Sequence, residues 1–181
     1  MEKLVFPERT AKTRTTPSLT ARIVKEKLVS QLKIKKILDW GCGKGRDVQF
    51  YQKSGLKTTG FDPHEPFGFA QKPKNKFDLV VVSYVINALP SVQERRRCLK
   101  DAAEFGSKML IVTRSEREVT ARANRCGWKK WEDGYWSSET KRTFQKGMTQ
   151  QEIIKYVPKG FKRSEVQIKV KDATAILIEK Q

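Results

Sequence analysis

Lys36-Ile37-Leu38-Asp39-Trp40-Gly41-Cys42-Gly43-Lys44-Gly45 is the stretch on which the fold turns. A short apolar run ends in an acid, and a glycine loop follows at once. Glycines at 41, 43 and 45 let the backbone turn tightly and approach a ligand closely. Residues 46–54 then form a predicted helix closed by Gly55. A loop that opens a helix points free N–H groups at whatever it binds.

Working outward, Lys57 to Asp62 reads as a second strand, again ending in an acid. Phe77 to Val85 is continuously apolar and β-branched, as a strand buried on both faces is. Ser91 caps a helix to about Phe105, and Lys108 to Thr113 is another strand. Repeated strand–helix–strand units predict a Rossmann-like three-layer α/β sandwich with a mostly parallel sheet. Asp62 lies 21 residues past Gly41. An acid at that place accepts hydrogen bonds from ribose hydroxyls in nucleotide-binding folds.

The spacing excludes other phosphate loops. G-x-x-x-x-G-K-[ST] is absent, and G-x-G-x-G replaces the dinucleotide pattern G-x-G-x-x-G. Asp39 sits where a pyrophosphate would repel it and where a cationic amino group would be welcome. It can equally cap the loop's own N–H groups.

Upstream, residues 1–17 read as a basic, extended N-terminal arm, and Ser18 caps a helix through about Gln31. Downstream the character changes. A helix runs from Ser115 to about Arg125. An aromatic-rich insertion at about 126–148 carries Trp128, Trp131, Tyr135 and Trp136, with Asp133-Gly134 as a turn signal. A short helix is expected at Thr149–Tyr156. Two closing strands, about 163–170 and 174–179, are expected to pair antiparallel around Lys171-Asp172. Residues 18–181 are expected to form a single domain.

Composition bounds the function. The 181 residues carry 38 Lys and Arg against 20 Asp and Glu, a net charge of +18. Such a surface attracts polyanions, and nucleic acid is the natural partner. No apolar run approaches the ~18 residues of a membrane span, and no secretory signal is visible. Cys42, Cys98 and Cys126 are scattered, and His64 is the single histidine. The chain is therefore read as cytoplasmic and without a metal.

These motifs resemble the class I S-adenosylmethionine (SAM) dependent methyltransferases, through Ile37–Gly45, Asp62 and the strand Phe77–Ser83. The resemblance implies that Gly41, Cys42, Gly43 and Gly45 surround the methionine part of SAM. Asp39 would meet its amino group, Asp62 with Pro63 would hold the ribose, and Ser83, Tyr84 and Val85 would lie beside the methyl donor. The chain also resembles the putative methyltransferases associated with DNA phosphorothioation. The matching pieces are Arg9-Thr10-Ala11 with Arg14, DWGCGKGRDV at 39–48, FDPH at 61–64, SYVINALPSVQERR at 83–96 and RTFQKGMTQQE at 142–152. The segment between Asp62 and Phe77 is too compact for the third strand usual in such sheets.

Neither an amino-methyltransferase motif nor a Pro-Cys nucleophile is present after the Phe77–Val85 strand. Tyr84 and Asn87 are the candidate catalytic residues, because alignment alone can supply most of an in-line methyl transfer. Arg14, Trp128, Trp136, Arg142, Phe144 and Lys146 are candidate substrate contacts, with DNA favoured over RNA. The aromatics can stack on unpaired bases or cover one end of the sheet. His64 and the run Arg95-Arg96-Arg97 read as solvated. The rival readings are a small-molecule methyltransferase and an inactive SAM- or DNA-binding accessory protein.

Overall fold

The computed structural model describes residues 5–181, so the first four residues of the expected arm lie outside the described part. Strands β1 (Lys36–Trp40), β2 (Lys57–Phe61), β3 (Leu79–Ser83) and β4 (Lys108–Arg114) pair in parallel. They join β8 (Phe161–Arg163) and β9 (Ala173–Lys180) in a six-stranded sheet of order β2-β1-β3-β4-β9-β8. β9 runs antiparallel to both of its neighbours. This is the expected Rossmann-like sandwich with an antiparallel final strand.

β3 is apolar throughout because it is central and covered on both faces. Val80 and Val82 pack into one core with Leu99 and Ala102 of α4 (Val92–Ala103). That core also holds Ile153, from a short helix at Gln150–Ile154. Leu79 and Val81 pack into the other, with Ala21, Val24 and Leu28 of the N-terminal helix and Tyr51 of α3 (Arg46–Lys53). Each fully buried Val or Leu contributes about 1.5–3 kcal/mol.

The N-terminal helix is α1 (Leu19–Ile23), a π turn (Val24–Leu28) and α2 (Val29–Gln31). Ser18 caps it by accepting from the Ala21 N–H at 3.0 Å. The π turn shifts the helical register, which is why the apolar positions fit one face only roughly. No strand lies between β2 and β3, as the compact 63–76 segment requires.

Four expectations need correction. The arm is not extended throughout, because Pro7–Thr10 form a 3-10 turn that Pro7 starts and the Thr10 hydroxyl closes by donating to Pro7 O at 2.6 Å. The closing pair is not a hairpin around Lys171-Asp172. β8 is three residues long and pairs with the far end of β9, Phe161 opposite Lys180. Residues 164–170 form no strand, although Ile168 and Val170 are buried. Their alternating apolar side chains serve packing without a ladder.

The aromatic segment after α5 (Glu116–Cys126) is a second sheet: β5 (Lys129–Trp131), β6 (Gly134–Ser138) and β7 (Thr143–Gln145). Its first turn is Glu132-Asp133, with Glu132 at φ 51°, and Gly134 is already paired, opposite Trp131. Gly134 is glycine for another reason: a Cβ there would collide with the Phe144 ring.

Arg95 is not solvated. It is fully buried, whereas Arg96 and Arg97 are exposed. Its Nε donates to Leu89 O at 2.9 Å and its two terminal nitrogens grip Asp133 at 2.5 and 2.8 Å. The remaining donors reach Pro90 O and Tyr156 Oη, at 2.9 and 3.4 Å. All five guanidinium N–H groups are thereby used, which is what makes the burial tolerable.

Candidate active site

β1 lies between β2 and β3, so its carboxyl end is the point at which the chain switches direction across the sheet. Ligands bind at such points in open α/β sheets. The glycine loop stands there. Gly41 N and Cys42 N donate to Phe61 O at 2.7 and 3.1 Å, tying the loop to the end of β2. Gly41 has φ 75°, and a Cβ on it would collide with Val85. The loop backbone therefore packs directly against Val85, two residues past β3.

Carboxylates organise this edge. Asp62 accepts from Gly43 N at 2.8 Å and from His64 N at 3.0 Å. Pro63 between them is exposed. Asp47, on the first turn of α3, accepts from Ser18 N and Oγ at 2.8 and 2.6 Å and meets Arg14 at 3.4 Å. Asp39 is 5% exposed. Its burial, and then Asp47, push its carboxyl up to about 8; Arg14 opposes this and Asp62 adds to it. Burial, then Asp39 and Asp62, raise the Cys42 thiol as well, so it is no thiolate nucleophile.

The arm closes over this loop. Lys44 Nζ donates to Thr13 Oγ1 at 2.6 Å, and Ala11 lies against Gly43. Further along, Phe6 N donates to Arg142 O at 2.9 Å, so the arm reaches the turn between β6 and β7.

On the opposite side, Tyr84 follows β3 with φ 59° and is 38% exposed. An aromatic side chain in that backbone region is rare and costs of order 1–3 kcal/mol. Burial, then Glu118, raise its phenol against the pull of Arg114 and Arg14, so the hydroxyl keeps its proton. Ser83 Oγ donates to Thr20 Oγ1 at 3.2 Å.

Asn87, on the turn Ile86–Ala88, is 2% exposed and donates through Nδ2 to Gln145 Oε1 at 3.0 Å. Arg114 also donates to Gln145 Oε1, at 3.2 Å. Arginine has no acceptor, so Gln145 must present its oxygen, and Asn87 must then present its nitrogen. Asn87 Oδ1 is left buried without a hydrogen-bond partner. The Arg114–Gln145 pair escaped sequence reasoning, because its members are 31 residues apart and only Gln145 falls in one of the quoted segments.

The remaining candidate substrate contacts separate into two groups. Arg142 is exposed, and Trp128 is half-buried with the Arg114 guanidinium 5.4 Å from its ring centre. Trp136 and Phe144 are 7% and 0% exposed and pack with Trp131. Rings closed in this way have no face for a base. Lys146 is 8% exposed and bridges Glu152 at 3.0 Å and Asp133 at 3.6 Å, so its charge is already engaged.

The sequence pattern of the methyltransferase domain family matches residues 11–154. The chain belongs to that family. It is a SAM-dependent methyltransferase, and SAM is its cofactor. The donor set fits: burial and the neighbouring Asp47 and Asp62 disfavour a bare carboxylate at Asp39, and a ligand that brings an ammonium would supply the missing positive charge.

Solved structures share the fold. PH0226 protein of Pyrococcus horikoshii OT3 is similar at 17% identity and TM-score 0.72, over 98% of this chain and 97% of that one. Magnesium protoporphyrin IX methyltransferase of Synechocystis PCC 6803, solved with bound S-adenosylhomocysteine (SAH), is similar at 17% identity and TM-score 0.65, over 90% and 82%. The N-methyltransferase NodS of Bradyrhizobium japonicum WM9 is similar at 13% identity and TM-score 0.56, over 89% and 84%. Comparison with curated protein sequences gives no match. Among the described residues there is no cluster of groups that could hold a metal ion and no helix long and apolar enough to cross a membrane.

Proposed function

We propose that this methyltransferase acts on nucleic acid, with DNA favoured, as its resemblance to the phosphorothioation-associated enzymes suggests. The observation that carries the proposal is where the acids lie. Asp39, Asp47 and Asp62 are buried at the loop, and Asp133 and Glu152 are engaged by Arg95 and Lys146. Burying three of the 20 acids leaves the surface with the full cationic excess behind the net charge of +18. Such a surface concentrates polyanions.

In this reading Asp39 meets the ammonium of SAM, and Gly41, Cys42, Gly43 and Gly45 surround its methionine part. Asp62 and Pro63 flank the ribose, and Ser83, Tyr84 and Val85 flank the methyl group. When bound, SAM supplies an electrophilic methyl group. Tyr84 orients the acceptor, and Asn87, whose oxygen is buried, acts from behind it by holding the turn at Ile86–Ala88. Arg14, Trp128 and Arg142 are the remaining substrate contacts. Trp136, Phe144 and Lys146 act by building the small sheet. Three free thiols suit a cytoplasmic setting.

Transfer of labelled methyl from SAM to DNA, RNA and small amines tests this reading. Label in nucleic acid with steep salt dependence is expected. Label only in small acceptors, with no salt dependence, would favour the small-molecule reading.

A further inference from the structure

α5 leaves the carboxyl end of β4, with Ser115 as its cap, accepting from Glu118 N at 3.3 Å. Val119 and Ala123 are buried. At 100° per residue, Arg117, Arg122 and Arg125 fall within about 140° on the opposite side. All three are exposed. With Glu118, Ala121 and Asp172 they line a shallow depression. The Glu118 carboxylate is gripped at both oxygens by Arg114. Three guanidiniums therefore face the single remaining carboxylate of Asp172.

Like charges three residues apart, as at Arg122 and Arg125, repel by about 0.2–0.5 kcal/mol. An anionic partner removes that repulsion. The arginines extend about 12 Å along the helix axis. Each strand of a duplex carries one phosphate per about 3.4 Å of helix axis, so a row of this length can meet more than one phosphate. The near end of the row adjoins the Arg114–Glu118 pair, whose field reaches the Tyr84 hydroxyl. A strand lying on α5 thus leads to the carboxyl edge of the sheet.

We propose that this face of α5 binds the phosphate backbone of the nucleic-acid substrate, a proposal that rests on the nucleic-acid reading above. The test measures binding of a fluorescein-labelled duplex DNA over a range of salt concentrations. The wild type is compared with Arg117→Gln/Arg122→Gln/Arg125→Gln and with a control, Arg22→Gln/Lys25→Gln/Lys27→Gln, on the exposed side of the N-terminal helix. The α5 triple is expected to lower the slope of log affinity against log salt by about 2–3, at about 0.9 per lost contact. Each single variant lowers it by about 0.9. The control changes it by less than one contact, and SAM titration shows the α5 triple to be folded. Equal losses in both triples, or an unchanged slope in the α5 triple, would overturn the assignment and leave the nucleic-acid reading intact. A wild type that shows no salt-dependent binding to DNA, or to RNA of the same sequence, would remove both.

Discussion

The loop edge and the small-sheet edge of this site hold their polar groups differently. At the loop, Asp62 is fixed by main-chain N–H groups, including one only two residues away. Beneath the small sheet, side chains fix one another across 38 residues for Arg95 and Asp133 and 58 for Asn87 and Gln145. The first arrangement needs only a glycine loop and an acid at the right spacing. The second exists only once the whole chain is folded. On the proposed assignment, cofactor chemistry is thus written locally, and acceptor chemistry globally.

If that contrast is right, damage to the two edges differs in kind. Arg95→Ala removes a fully buried cation, deprives the Leu89 and Pro90 carbonyls of this donor and leaves Asp133 with Lys146 alone, which costs about 3–5 kcal/mol in chemical denaturation. Affinity of the folded fraction for SAM remains. A loss of SAM affinity without a loss of stability would place Arg95 in the cofactor site.

Asp39 gives the next largest effect. Its carboxyl is raised to about 8 in the folded chain. The folded state then holds more protons than the unfolded one, so stability from this group falls as pH rises from about 4 to 8. A cationic ligand prefers the ionised form, so SAM affinity rises with pH by up to about tenfold per unit between pH 6 and 8. Asp39→Asn is expected to flatten both dependences and weaken SAM binding. Persistence of the pH dependence in that variant would assign it to another group.

Gly41→Ala forces a Cβ into Val85 at φ 75°. A stability loss of about 1–3 kcal/mol is expected, together with weaker SAM binding. Gln145→Leu unties Asn87 and Arg114 and is expected to cost about 1–2 kcal/mol. It should slow methyl transfer while SAM affinity stays constant. Equal effects on both quantities would mean that the two edges are not separable.

The same contrast explains what the sequence disclosed. β1, the glycine loop, α3 and Asp62 were legible because each is a short-range pattern. β3 was legible because burial on both faces makes it apolar throughout. The small sheet was visible only as clustered aromatics and a turn signal, since β5 and β7 have three residues each. The burial of Arg95 was hidden by its neighbours Arg96 and Arg97, because a charge run shows no difference between its members. β8 was misplaced because the alternation of apolar residues at 164–170 imitates a strand.

Calorimetric titration with SAM and SAH, on the wild type and on Asp62→Ala, tests the cofactor assignment most directly. Micromolar wild-type affinity is expected, about −8 kcal/mol. Asp62→Ala should weaken it by about 1.5–3 kcal/mol. Absence of wild-type binding, or equal affinity in Asp62→Ala, would contradict the placement of SAM at the glycine loop.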